Sequence, residues 1–208
     1  MSKKSIRFFN DHEVRAVWDD ENDKWHVLSS YDTIDGKSRL KAYSLFDNNQ
    51  LKAISPGTVK CLQQIHSYLF GGLYDFAGKI RTVTISKGGT MFCRAEYLKH
   101  NLVMIEQMPE TTFDEIVDKY VEMNVAHPFM EGNGRSTRIW LDLIFKKRLK
   151  MCVDWSLIDK KNYLAAMQKS VTDSTRIKAL LKHALTDKID DREVFMKGID
   201  YSYYYEEE

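Results

Sequence analysis

The residue types best suited to catalysis in this chain of 208 residues lie together in residues 127–138, which read H-P-F-M-E-G-N-G-R-S-T-R. The histidine titrates near neutral pH and can take a proton from a nucleophile. The glycines let backbone N–H groups approach an anion closely. The arginines present planar donors to phosphate oxygens. This combination predicts a site for phosphoryl or nucleotidyl transfer.

Spacing within the stretch gives each group a predicted role. Backbone N–H groups at the start of the following helix would bind an anion. They belong to Gly132, Asn133 and Gly134. Arg135 and Arg138 are three residues apart, so both are expected to face one side of that helix and to bind phosphates. Glu131 is the carboxylate of the loop and the predicted ligand of Mg²⁺, with nucleotide oxygens and water completing the shell.

The stretch resembles the signature of Fic domain proteins, H-P-F-x-(D/E)-G-N-G-R-x-x-R, with every specified position present. The resemblance implies a mainly α-helical Fic-type domain with a β-hairpin flap over the active site. It also implies transfer of AMP from ATP to a Ser, Thr or Tyr hydroxyl of a target protein. His127 would be the general base, with attack on the α-phosphorus and departure of pyrophosphate. We expect an N-terminal extension over residues 1–31 and the Fic domain over residues 32–208.

The resemblance places the flap in residues 78–94, ahead of the motif. Residues 81–85 are rich in β-branched side chains and predict a strand, and residues 91–93 predict its return. An exposed strand edge can hold an extended target peptide through main-chain hydrogen bonds. The residues expected to form the turn and dock the target are Ser86, Lys87, Gly88, Gly89 and Thr90.

The C-terminal tail resembles the inhibitory pattern (S/T)-x-x-x-E-(G/N) of many Fic proteins. Ser202 and Glu206 fit it, whereas Glu207 stands where the family has Gly or Asn. The resemblance implies a single-domain protein with a C-terminal inhibitory helix, about residues 190–208, in which Glu206 pairs with Arg138 in place of the γ-phosphate. Tyr203 is the first candidate for self-adenylylation once the tail is released, and self-association of the chain is a related expectation.

Hydrophobic periodicity predicts the elements that position these groups. A hairpin is expected within residues 13–30, ahead of the part that resembles Fic proteins. A mostly helical chain follows, and residues 139–145 are apolar on nearly every side, which predicts a central buried helix. The expected helices begin near residue 38 and then cover residues 55–70, 96–108, 112–126, 132–149, 157–170, 175–184 and 190 to about the end.

Composition narrows the function classes. Lys plus Arg total 31 and Asp plus Glu total 30, so no basic excess points to direct binding of nucleic acid. No apolar run is long enough to span a bilayer, and no signal-peptide core follows the basic N-terminus. The three cysteines form no C-x-x-C pair, which favours reduced thiols. A cytoplasmic protein is expected, with export into a host cell left open.

Two alternatives keep the same residues but change the function. The first is a Fic-fold enzyme that moves another phosphate-containing group or removes AMP. The second is a catalytically silent, regulated binding module whose tail stays closed. Intact His127, Glu131, Arg135 and Arg138 favour AMP transfer.

Overall fold

Helices dominate the part of the chain that the computed structural model describes, namely residues 7–9, 14–48, 55–87 and 90–207. The helices are α1 Ile34–Ser44, α2 Val59–Phe70, α3 Ala95–Gln107, α4 Phe113–Ala126, α5 Asn133–Leu149, α6 Lys160–Ser170, α7 Thr175–Ala184 and α8 Arg192–Tyr204. A short 3-10 helix, Trp155–Leu157, precedes α6. The predicted mainly α class is confirmed.

Within the described ranges, three small antiparallel sheets accompany the helices. Strands β1 Arg7–Phe9, β2 Val14–Asp19 and β3 Lys24–Val27 form the first, β4 Ser86–Lys87 and β5 Thr90–Met91 the second, and β6 Cys152–Val153 and β7 Leu185–Thr186 the third. The predicted N-terminal hairpin is therefore present as β2 and β3, with β1 added at its edge. The β6–β7 ribbon is not signalled by the sequence, because each of its strands has two residues.

Helix α5 lies at the centre of the fold and packs between α2 and α4. Its side chains Trp140, Leu141, Ile144 and Phe145 are fully buried. Burying an apolar side chain of this size stabilises a fold by about 1.5–3 kcal/mol. The indole Nε1 of Trp140 donates to the carbonyl of Thr58 at 3.0 Å, so its polar atom is satisfied inside the core. The predicted central helix is confirmed, and its burial fixes the motif at its N-terminus.

Side-chain caps shift two predicted helix starts. The Thr33 hydroxyl accepts from the Gly36 N–H, so α1 begins at Ile34 rather than near residue 38. The Thr58 hydroxyl accepts from the Cys61 N–H, so α2 begins after Ser55-Pro56 rather than at it. A hydroxyl that accepts from an otherwise unpaired N–H of the first turn defines the helix start.

The flap is shorter than predicted. Ser86 pairs with Met91 and Lys87 with Thr90, whereas residues 81–85 form no strand. At the start of this segment the Arg81 N–H donates to the Pro128 carbonyl and the Arg81 Nε to the His127 carbonyl, so Arg81 is hydrogen-bonded to the connection after α4 and not to a strand. Gly88 and Gly89 of the predicted docking turn lie outside the described residues. For Lys87 and Thr90 the structure gives the backbone position only.

Helix α8 packs against the N-terminal part of the chain. The carboxylate of Asp200 is buried and receives the Arg15 guanidinium at 2.5 Å and the Tyr43 hydroxyl. Since Arg15 lies in β2 and Tyr43 in α1, the N-terminal sheet and the tail helix are fastened to one another. None of the helices in the described ranges is long and apolar enough to cross a membrane.

Candidate active site

The motif forms the connection between α4 and α5, and its backbone turns twice in the left-handed region. His127 ends α4 with φ 48° and ψ 63°, and Gly132 precedes α5 with φ 79°. A Cβ atom on Gly132 would lie 2.4 Å from the Phe70 ring, so glycine is required there for two reasons. These turns bring the first turn of α5 and the His127 ring to the same cavity.

The His127 ring is held in one orientation and one tautomer. Its Nδ1 lies 3.2 Å from the carbonyl oxygen of Asn124, and since a carbonyl only accepts, Nδ1 carries the proton. The other ring nitrogen, Nε2, is then an acceptor. The ring stacks on Phe92 beside the flap, with centroids 3.6 Å apart and planes at 10°. Burial lowers the pKa of His127 to about 4, so the imidazole is neutral at physiological pH and able to accept a proton.

A cavity of about 650 Å³ adjoins the histidine, which is within the usual size range of small-molecule sites. The motif contributes His127, Met130, Glu131, Asn133, Gly134 and Arg138 to its wall. The flap region contributes Ile85, Ser86 and Phe92, and α6 contributes Lys160, Tyr163, Leu164 and Met167. The tail contributes Tyr205, Glu206 and Glu207. Most of the predicted motif residues therefore meet at one cavity, together with a wall from α6 that sequence reasoning missed.

Arg138 joins the cavity to the tail. Its guanidinium donates to the Ser202 hydroxyl at 2.7 Å, to the Ser202 carbonyl at 2.6 Å and to the Glu206 carboxylate at 2.7 Å. It also donates to the hydroxyl of Tyr163 at 3.2 Å. The residue is 2% exposed, so these charged hydrogen bonds are shielded from water. The predicted contact between Arg138 and the tail is present in this conformation.

The Glu206 carboxylate lies against the N-terminal turn of α5. A Cβ atom on Gly134 would be 2.1 Å from its Oε1 atom, so a side chain at this position would collide with the carboxylate. The first turn of a helix presents unpaired N–H groups and the positive end of the dipole. In this structure a carboxylate of the tail is therefore the anion at the place where the sequence predicted a phosphate.

Arg135 does not share the surroundings of Arg138, contrary to the expectation that both face one side. Its guanidinium forms a close ion pair with Asp35 of α1 and contacts Glu131 at 2.8 Å. It also lies over the rings of Phe70 and Tyr203, at 5.0 and 5.5 Å from their centroids. A phosphate contact would require Arg135 to leave these partners, so its position here ties α5 to α1.

The Mg²⁺-binding role of Glu131 stays a prediction. The Glu131 side chain is 48% exposed and receives the Gly132 N–H at 2.9 Å through Oε1. Among the described residues no group of three acidic, histidine or cysteine side chains could hold a metal ion. A single carboxylate ligand suits Mg²⁺ only when nucleotide oxygens and water complete the shell.

Asn133, by contrast, has a structural task. Its side-chain amide forms hydrogen bonds with both backbone groups of Phe129, each at 2.8 Å, which leaves the backbone N–H of Asn133 for the predicted anion site.

Two tail residues make contacts that their sequence positions did not predict. The Tyr203 hydroxyl lies 2.6 Å from the Ser38 hydroxyl, and burial raises the pKa of Tyr203 to about 12. It therefore faces α1 in this conformation rather than the cavity. The Glu207 carboxylate lies 2.6 Å from His26 Nε2 and receives the backbone N–H and the hydroxyl of Ser29 at 3.0 and 2.6 Å. The N-terminal hairpin was expected, but nothing in the sequence signalled that it holds the tail.

Comparison with known proteins agrees with this geometry. A sequence profile of the Fic/DOC family matches residues 56–145. The chain is 27% identical over 161 residues to "Probable protein adenylyltransferase y4lH" of Sinorhizobium fredii, which spans 70% of this chain and 83% of that protein. It is 25% identical over 138 residues to "Probable protein adenylyltransferase Fic" of Escherichia coli, or 61% and 68% of the two chains.

A similar fold is found among solved structures. The BepC protein of Bartonella tribocorum, a VirB-translocated effector solved with bound AMPPNP, has a TM-score of 0.64 to this structure at 18% identity. The match covers 75% of this chain and 86% of that one. At such low identity the likeness supports the fold.

Proposed function

The chain belongs to the Fic/DOC family and is a nucleotidyltransferase, and we propose that it moves AMP from ATP to a hydroxyl side chain of a target protein. The observation that carries this proposal is the position of His127 at the wall of a cavity that the first turn of α5 also lines. The relatives named protein adenylyltransferases support the same reaction.

In the proposed reaction, Nε2 of His127 takes the proton of the target hydroxyl. The hydroxyl oxygen then forms a bond to the α-phosphorus of ATP, the bond from that phosphorus to the bridging oxygen breaks, and pyrophosphate leaves. The backbone N–H groups of Asn133 and Gly134 and the Arg138 guanidinium bind the phosphates, whose charge suits the helix N-terminus. The Gly132 N–H joins them only if it leaves the Glu131 carboxylate. Arg135 is proposed to join them only if it exchanges its carboxylate partners for phosphate.

A labelling experiment tests the group that is moved. The Glu206→Gly protein is incubated with Mg²⁺, cell lysate and ATP labelled at either the α- or the γ-phosphate. AMP transfer predicts protein-bound label from α-labelled ATP and none from γ-labelled ATP. Mass spectrometry of the modified protein separates AMP from UMP and phosphocholine. Labelling from the γ-position, or none under any condition, would contradict the proposal. We propose that the target meets the enzyme in the cytoplasm and docks on the flap segment of residues 86–90.

We propose that Glu131 holds Mg²⁺ together with the nucleotide, which neutralises phosphate charge during transfer. Charge reversal in Glu131→Lys is expected to abolish transfer at any Mg²⁺ concentration. The milder Glu131→Gln is expected to raise the Mg²⁺ concentration needed for half-maximal rate, because a neutral amide is a weaker ligand. Rates measured across a Mg²⁺ titration check both. A Glu131→Lys protein with normal Mg²⁺-dependent activity would show that the cation is held elsewhere.

We further propose that α8 inhibits the enzyme. The support is that Glu206 lies where a phosphate is expected and pairs with Arg138, the arginine that faces the cavity. ATP and the Glu206 carboxylate would compete for the same donors. The tail must therefore move before the triphosphate binds in full, so its hold on the rest of the protein sets the basal activity.

The N-terminal hairpin contributes to that hold. Burial alone would raise the pKa of the Glu207 carboxyl. Hydrogen bonds from Ser29 and His26 outweigh burial and lower this pKa, so they favour the charged form. Lys160 of α6 also donates to the Glu207 carbonyl. Glu207, the residue that departs from the family pattern, thus links the tail to the N-terminal hairpin and to α6 through hydrogen bonds.

Glu207→Gln is expected to raise basal AMP transfer about 2- to 10-fold, because weakening one or two hydrogen bonds costs the closed tail about 0.5–1.5 kcal/mol. The initial rate of labelling with α-labelled ATP measures the effect. Glu193→Gln is the matched control, since Glu193 is an exposed carboxylate of the same helix, far along the sequence from the cavity-lining tail residues. An unchanged rate in Glu207→Gln would show that the hairpin contact does not restrain the tail.

A further inference from the structure

Arg81 is a buried arginine next to the active site, and the proposed reaction gives it no role. It lies between α2 and the flap and is 4% exposed. A buried guanidinium is costly unless its donors are satisfied. The groups that satisfy them show which part of the structure Arg81 holds.

Within the part of the chain that the structure describes, the guanidinium of Arg81 donates to main-chain carbonyls only. Nε donates to the His127 carbonyl at 2.7 Å, and Nη2 donates to the Ala126 carbonyl at 3.0 Å. Nη1 donates to the Val83 carbonyl at 2.6 Å, and Nη2 also donates to the Cys93 carbonyl at 2.5 Å. The first pair lies at the C-terminal end of α4, and the second pair lies on the two sides of the flap. One side chain therefore joins the catalytic turn to both ends of the flap.

These hydrogen bonds lie next to a strained backbone position, His127. The last carbonyls of a helix have no partner within the helix, and a cation there is favoured by the dipole. His127 follows in the left-handed region, at φ 48°, which is unfavourable for a residue other than glycine. The Arg81 backbone N–H adds a bond to the next carbonyl, that of Pro128, at 2.9 Å. Arg81 thus holds the carbonyls on both sides of the strained residue and that residue's own carbonyl.

The flap contributes the second restraint on the histidine. The Phe92 ring stacks on the His127 imidazole at 3.6 Å, and the next residue, Cys93, is bonded to Arg81 and through its N–H to Val125 of α4. The position of the stacking ring therefore depends on the same guanidinium as the position of the histidine backbone.

We propose that Arg81 is a positioning residue for the reaction: its guanidinium sets the direction of the His127 imidazole by fixing the end of α4 and the flap together. It touches neither nucleotide nor target. Lysine would keep the charge but has a single nitrogen in place of the planar fork, so it can replace only part of the arrangement. Catalytic groups misplaced by about 1 Å lose up to about 10²-fold in rate.

The first test is by NMR and does not depend on activity. In Glu206→Gly protein the His127 Hε1 signal is assigned by its loss in His127→Ala, and stacking on Phe92 displaces it from the position of an unstacked histidine. Arg81→Met is expected to move the signal toward that unstacked position, and Arg81→Lys part of the way. The matched control is Lys119→Met. Lys119 is a buried cation of α4 that donates to the Glu106 and Met108 carbonyls, away from the cavity.

The second test rests on the AMP transfer proposed above. Arg81→Met in the same Glu206→Gly background is expected to lower kcat about 10- to 100-fold while the KM for ATP stays near that of the parent. Lys119→Met is expected to lose thermal stability without this change in kcat. If Arg81→Met does not fold, Arg81→Lys carries both tests.

The outcomes separate the two proposals. A His127 signal that stays in place in the folded Arg81 variants, or moves equally in Lys119→Met, overturns the role of Arg81. A parental protein without transfer activity overturns the proposed function, while a displaced His127 signal in Arg81→Met would still support Arg81 as a positioning residue.

Discussion

Glu206→Gly is expected to raise AMP transfer about 10- to 100-fold above wild type. The charged hydrogen bond from Arg138, at 2.7 Å and largely buried, stabilises the closed tail by about 1.5–3 kcal/mol. Each 1.4 kcal/mol changes an equilibrium about tenfold, so losing this bond shifts the tail toward the released state by that factor. Glycine also weakens the last turn of the helix. The initial rate of labelling from α-labelled ATP measures the change.

Glu193→Gly is the control, since it removes an exposed carboxylate from the first turn of the same helix and should leave the rate at the wild-type level. A Glu206→Gly protein no more active than wild type would remove the inhibitory role of the tail. The same sample tests self-modification by peptide mapping. Tyr203 is buried against α1 in the closed state, so AMP on Tyr203 is expected in Glu206→Gly and not in wild type. AMP found only outside residues 201–205 would contradict that proposal.

His127→Ala is expected to lower transfer about 10²- to 10⁴-fold in the Glu206→Gly background, because the base that accepts the hydroxyl proton is lost. The fold should persist, since His127 is the half-buried C-cap residue of α4 and its backbone is held by Arg81. Circular dichroism and thermal unfolding check the fold, and the labelling rate checks the reaction. His100→Ala, which removes an exposed histidine of α3, should have the activity of the parent.

The pH dependence provides an independent check on the same histidine. Histidine acts as a general base in its neutral form. The pKa of His127 is lowered to about 4, and burial is the largest cause. The midpoint of the acid limb of kcat/KM should therefore lie well below pH 6.5, where the ordinary pKa of histidine is about 6.5. The Glu206 carboxylate raises this pKa, so Glu206→Gly should move the limb no higher. An acid limb at or above pH 6.5 would show that a group other than His127 is titrating.

The sequence alone determined the fold class and the identity of the motif. Both depend on local information: helix α4 follows from the spacing of its apolar residues, and the motif is one uninterrupted run of residues. The i, i+4 spacing of Ser202 and Glu206 places both on one helix face, and the family resemblance implied that Glu206 pairs with Arg138. The structure has that pair, and Arg138 also donates to Ser202, a contact that was not predicted. Patterns of this kind survive folding because neighbours along the chain remain neighbours in space.

Only the tertiary structure decided which groups surround the motif. Arg135 pairs with Asp35, which is 100 residues away in the sequence, and Glu207 contacts His26, which is 181 residues away. Residues 81–85 had the composition of a strand, yet Arg81 bonds the end of α4 instead, because burial there left carbonyls that only a donor from another element could satisfy. Such pairings depend on how the helices pack around α5, and packing is a property of the whole chain that no local spacing encodes.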